Sequence, residues 1–201
     1  MECVRGEWLR LTSDIDDALI QSRAVRARLL DQPIFFLAPE DAVLQLITHL
    51  AVNHQFSLMA PRSLIDLALL TRSAAVDWDI IAAQARAWHL ATAAWLVMTL
   101  AIDLVGLEEA RTVAPRLAPS RLRQRLLTRL VNSAQIAAQA DWRLSRWRFV
   151  LLLLLVDRRR DVLKLLFRTL WPERAWLSAR YGRTSVRLRA GHLLNALRGH
   201  M

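Results

Sequence analysis

The chain has 201 residues, 54% of them hydrophobic and 23% charged, with only 5 glycines, 6 prolines and one cysteine. That composition excludes a disordered or low-complexity chain, a collagen-like repeat, a disulfide framework and a cysteine-based zinc finger. Charge is uneven: residues 1–110 carry a net −6 and residues 111–201 a net +16, and Lys164 is the only lysine among 28 basic residues.

Spacing of apolar residues near 3.6 dominates along the chain, so the expected class is all-α. The architecture implied is an irregular multi-helix bundle with at most one short strand near 34–37. Ser13 and Asp16 read as a capping box opening a helix to about Leu30, with Ile15, Leu19, Val25 and Leu29 as its apolar side. Asp31-Gln32-Pro33 ends it, and Ile34-Phe35-Phe36-Leu37 is extended. Pro39, Glu40 and Asp41 form a helix first turn, with proline at the start and acids against the dipole; that helix runs to about Phe56.

Pro61 opens a helix to about Arg72. Val76-Asp77-Trp78-Asp79 opens another through Trp88. A long apolar helix follows and stops at Gly106. Pro115 and Pro119 mark a linker. Helices follow near 120–139, 141–156 and 158–170, then a short one from Pro172 to about Arg180. Thr184 or Ser185 caps an amphipathic tail. The divisions expected are an acidic helical half (1–114), a basic helical half (115–182) and a basic tail (183–201).

No leader peptide is visible at the N-terminus, and the uncharged run 87–102 is too short to span a bilayer and reads as a buried helix. Together with the lone Cys3, this points to a cytoplasmic protein.

Several residues invite a chemical reading. Asp14 and Asp16 form an Asp-x-Asp pair. On a strand the two carboxylates point the same way and hold Mg²⁺; in a helix start they are a cap and an acidic first turn. No Gly-Ser turn precedes them, which favours the cap. His49 and His54 lie five apart on one helix, a poor spacing for a metal pair. Asp66 sits in the run Leu64–Leu70, so it reads as a buried carboxylate needing a partner, with His49 or His54 available. The pair would lock two helices together or orient a ligand and move a proton. Arg143, Arg146 and Arg148 interleave with Trp142 and Trp147, and Arg158, Arg159 and Arg160 follow. They read as a basic surface, either a solvated helix face or a contact for a membrane surface or nucleic acid.

Five stretches, in order, carry a resemblance. They are Leu37-Ala-Pro-Glu-Asp-Ala-Val-Leu-Gln-Leu with His49 and His54 behind it, Ser63-Leu-Ile-Asp66-Leu-Ala-Leu-Leu, Val76-Asp-Trp-Asp79, Leu155-Val-Asp-Arg158, and Leu170-Trp-Pro172 through Gly182. Together they resemble the helical carboxyl-terminal part of a bacterial nucleotidyltransferase family of the DNA-polymerase-β-like superfamily, over roughly residues 8–182. The resemblance implies transfer of a nucleotidyl group from an NTP, with Mg²⁺, to an unknown acceptor. It also implies a small α/β core ahead of the helices that holds the catalytic carboxylates.

Glu7–Thr12 matches the trailing end of that core's third strand, and Arg5 stands where its carboxylate would be. Metal-binding residues are therefore not carried over, and no cofactor is expected in this chain itself. NTP, acceptor and Mg²⁺ would be reached through a missing or separate core, and this chain alone would be inactive. A surface left uncovered by that core would favour self-association or a partner chain. The competing expectation is a non-catalytic helical interaction module.

Overall fold

A computed structural model describes residues 2–57, 60–138 and 145–171, with residues 173, 175, 178 and 182 singly. The fold is predominantly helical with one two-stranded antiparallel sheet. Helix α1 spans Glu2–Thr12 and α2 spans Asp17–Arg23; strands β1 (Val25–Leu29) and β2 (Gln32–Phe36) follow. Helix α3 (Pro39–Thr48) runs into a π-helical turn, His49–His54. Then come α4 (Ala60–Ser73), α5 (Trp78–Ala87), α6 (Ala91–Val105), a 3₁₀ turn (Glu108–Thr112) and α7 (Ala114–Leu117). Helices α8 (Arg121–Leu130), α9 (Ser133–Ala137), α10 (Ser145–Leu155) and α11 (Arg159–Leu170) complete the described chain.

Helix α6 is the axis of the core. Nine of its fifteen residues are buried, among them Trp95, Leu96, Val97 and Met98. Gly106 ends it at φ +66, a conformation a side chain would strain. At its other end Leu90 offers no side-chain cap; the carboxylate of Asp157 accepts from the Ala91 amide (2.7 Å), the Thr92 amide (3.0 Å) and the Thr92 hydroxyl. A residue 65 positions away thus satisfies the orphan amides of the central helix. Helix α1 packs on α11, and the fully buried Trp8 donates its indole N–H to the Leu152 carbonyl at 2.9 Å. One apolar core includes residues from α1 through α11.

Four expectations change. The helix expected from Ser13 to Leu30 stops at Arg23. Asp16 is its N-cap, accepting from the Leu19 amide, while Ser13 bonds back to Leu9 and closes α1. Helix α2 buries none of its residues fully and packs on the core through half-buried Ile20, so little packing sustains it further, and Val25 and Leu29 become exposed strand residues. The single short strand becomes a hairpin. Glu7–Thr12, expected as strand, is helical. The expected helix 120–139 divides at Asn132, which makes a capping box with Gln135. Residues 139–144, Pro172 and the tail from 183 lie outside the described residues. Among the described residues no helix is long and apolar enough to cross a membrane.

Candidate functional site

The site grows from one side of α3. Asp41, Leu44, Gln45, Thr48 and His49 recur at helical spacing and form one wall of a cavity of about 310 Å³. Leu9, Ile15, Ile20, Leu37, Trp88 and Leu90 add apolar lining, and Asn53 a further polar group. The lining is apolar apart from Asp41, Gln45, Thr48, His49 and Asn53. The volume suits a small organic molecule.

The π-helical turn places the histidines. The Gln55 amide bonds to the Leu50 carbonyl, a five-residue step, and Gln55 and Phe56 then turn the chain at positive φ. A five-residue step stacks residues five apart on one side, which an α-helix does not do. His49 and His54 therefore meet with perpendicular rings, centroids 4.4 Å apart and their Nε2 atoms at 2.8 Å. The Asn53 amide nitrogen stands 3.1 Å from His49 Nδ1. An N–H there donates, so His49 carries its proton on Nε2 and passes a hydrogen bond to His54 Nε2. The result is an oriented chain from Asn53 through His49 to His54, with His49 on the cavity wall.

Asp66 is not its partner. On α4, Leu64, Leu67 and Ala68 turn inward, whereas Ile65, Asp66 and Leu69 are exposed. An apolar run on a helix has two sides, and Asp66 took the outer one. The buried carboxylate is Asp41, 3% exposed, which pairs with Arg23 at the end of α2. With its amide turned so that oxygen faces the guanidinium, Gln84 of α5 accepts from the same arginine. Burial outweighs the single guanidinium and raises the Asp41 carboxyl above the ordinary aspartate value. Neither Asp41 nor Arg23 stood out in the sequence: a first-turn acid looks the same whether it meets water or an arginine from a preceding helix.

Asp14 and Asp16 diverge. Asp16 caps α2. Asp14 accepts both arms of the Arg158 fork at 2.6 and 3.1 Å and lies 3.2 Å from His89 Nε2. The Arg158 hydrogen bond, chiefly, holds the Asp14 carboxyl below its ordinary value. Arg158 also bonds the fully buried Asp161, so it acts as an internal bridge more than as open basic surface. Arg159 and Arg160 are exposed at the start of α11, and Arg148 is half-buried. Arg143 and the side chain of Arg146 lie outside the described residues.

Residues 4–106 match the family described as "Uncharacterised nucleotidyltransferase". That is just over half of the chain. The chain belongs to this nucleotidyltransferase family. No curated protein and no solved structure matches it. Every residue lining the α3 cavity, and both histidines, fall inside the matched segment.

The chemistry of the family raises the question of a divalent metal. Among the described residues no three His, Cys, Asp or Glu side chains converge as metal ligands. Asp14 is occupied by Arg158 and Asp16 by a helix amide, so the Asp-x-Asp pair does not fit a Mg²⁺ ion.

Proposed function

We propose that this protein serves transfer of an NMP group from an NTP to an acceptor, and that it is the helical, substrate-side region of that activity. In this reading the α3 cavity receives part of a substrate against its apolar lining, and the polar row Asp41, Gln45, Thr48 and His49 fixes the orientation. The Asn53–His49–His54 chain engages both ring nitrogens of His49 and holds the ring in one orientation, so a substrate meets an imidazole of fixed position. The carboxylates for phosphoryl chemistry come from an α/β core outside the described residues, and the chain alone does not transfer.

The observation that carries this reading is the family match coinciding with the cavity while both acids of the Asp-x-Asp pair are already engaged. The test is direct. Purified protein is incubated with α-labelled NTPs, Mg²⁺ and a cell extract as acceptor source, with and without a nucleotidyltransferase α/β core from the same family. Label should move to acceptor only when the core is present, and His49→Ala should reduce that transfer. Transfer by this chain unaided would place the catalytic carboxylates within it and overturn the reading.

A further inference from the structure

The π-helical turn does more than bring two histidines into contact. Residues five apart on an α-helix point about 140° apart, whereas the five-residue step of His49–His54 sets them on one side. Single π-helical turns recur at functional sites. His49 and His54 are half-buried and Asn53 is exposed, so solvent reaches the pair. The hydrogen bond between the rings is bent. A straight N–H···N bond of 2.8 Å would hold the ring centres about 5 Å apart, yet they stand at 4.4 Å. The two ring axes therefore lean from the line joining the Nε2 atoms, by about 45° on average.

That lean has the dimensions of a chelate. Two ring axes leaning to one side by this amount meet about 2.0 Å from each Nε2, the length of a metal–imidazole bond. They meet at a little under 90°, the angle between neighbouring positions of a square-planar or octahedral ion. A tetrahedral zinc ion would need the two nitrogens about 3.3 Å apart, wider than the 2.8 Å observed. Imidazole nitrogen suits nickel and copper, whereas Mg²⁺ takes oxygen ligands. The neighbouring Asn53 amide, 3.1 Å from His49 Nδ1, stands where the outer partner of a metal-bound histidine belongs.

We propose that His49 and His54 form a two-imidazole site for a divalent transition-metal ion, nickel(II) or copper(II), bound through both Nε2 atoms. The proton that His49 carries on Nε2 moves to its Nδ1, and the Asn53 amide turns so that its Oδ1 accepts it. His54 already presents its Nε2 lone pair, so binding releases no proton. Among the described residues no third His, Cys, Asp or Glu converges there, and water fills the remaining positions. The site is thus of the open kind, and His49 sets it beside the α3 cavity. This inference does not rest on nucleotide transfer, and the ion is distinct from the Mg²⁺ of that chemistry.

Equilibrium dialysis of the full chain, made without a histidine tag, tests it with NiCl₂ and with CuCl₂ at about 100 μM. Cys3→Ser, His192→Asn and His200→Asn form the background, so that no other thiol or tail imidazole competes. One ion should bind per chain, and Ni²⁺ should raise the melting temperature. His49→Asn and His54→Asn should each abolish most of the binding and the thermal shift while helical circular dichroism is unchanged. His89→Asn, in the contact with Asp14, should keep both. Pulsed electron paramagnetic resonance of the Cu²⁺ form should show two imidazole ligands. A background chain that binds neither ion overturns the proposal. So does binding that survives loss of either histidine, or a Cu²⁺ spectrum with a single imidazole.

Discussion

Two buried aspartates, Asp41 on α3 and Asp161 on α11, answer burial in opposite ways. Both are nearly inaccessible, and desolvation is the largest influence on each carboxyl, pushing it up. Asp41 has one guanidinium, Arg23, and ends above the ordinary aspartate value. Asp161 has Arg158 on one side and Lys164 at 2.7 Å on the other, and their hydrogen bonds and charges bring it below that value. The number of cations within hydrogen-bonding reach and the strength of desolvation together set the sign. Asp161 is a structural anchor that prefers to be charged. Asp41, its carboxyl raised by burial, stands on the wall of the cavity, which is where a perturbed carboxyl has chemical use.

The largest expected effect comes from removing the anchor. Asp161→Ala leaves Arg158 largely buried with one partner fewer and should cost about 3 kcal/mol in urea unfolding at neutral pH. A loss of a few tenths would mean that the two cations reach water on their own. Asp41→Asn should cost less, about 1 kcal/mol, because burial disfavours the charged form of Asp41 and Gln84 stays on Arg23.

Acid sharpens the contrast. The Asp161 contribution is complete above the unfolded aspartate pKa and is lost as pH falls through its lower folded value. The Asp41 contribution has the opposite sense: it is present below the unfolded pKa and is lost as pH rises through its raised folded value. Between about pH 6 and pH 3, therefore, the cost of Asp161→Asn should shrink and the cost of Asp41→Asn should grow. Parallel pH dependences would erase the distinction. The smallest effect belongs to Asp14→Asn. Its carboxylate is exposed, and its ion pair with Arg158 is screened from one side by water and salt, so the melting temperature should hardly move and any change should vanish in high salt.

Much of the helical frame was legible in the sequence. Pro39 stands at the start of α3, Asp77 caps α5 by accepting from the Asp79 and Ile80 amides, and Gly106 ends α6; each is a local signal with a local cause. The hairpin was missed because Val25 and Leu29 also fit a helical spacing, and only the scarcity of core surface for α2 to cover beyond Ile20 decides against it. The π-helical turn was missed for a related reason. The spacing His49 to His54 argues against a shared side on an α-helix, and nothing local in the sequence announces that the backbone changes step there.

In the site, the two histidines were found and their partner was not. Asp66 drew notice from apolar neighbours in the sequence, but those neighbours divide between the two sides of α4. Asp41 and Arg23 meet across a hairpin, and Asp157 reaches α6 from 65 positions away. Long-range pairs of this kind leave no mark on periodicity.

The cap that Asp157 places on α6 has a consequence for synthesis. The segment that defines the family leaves the ribosome before Leu152 and Asp157 do, with the amides of its central helix unmet and the Trp8 indole without its acceptor. The fifty or so residues between Gly106 and Arg158 must still be added, which at roughly 5–20 residues per second takes several seconds. During that interval the nascent chain holds an apolar helix it cannot finish. Chaperone occupancy should therefore peak before residue 157 emerges and fall once it does.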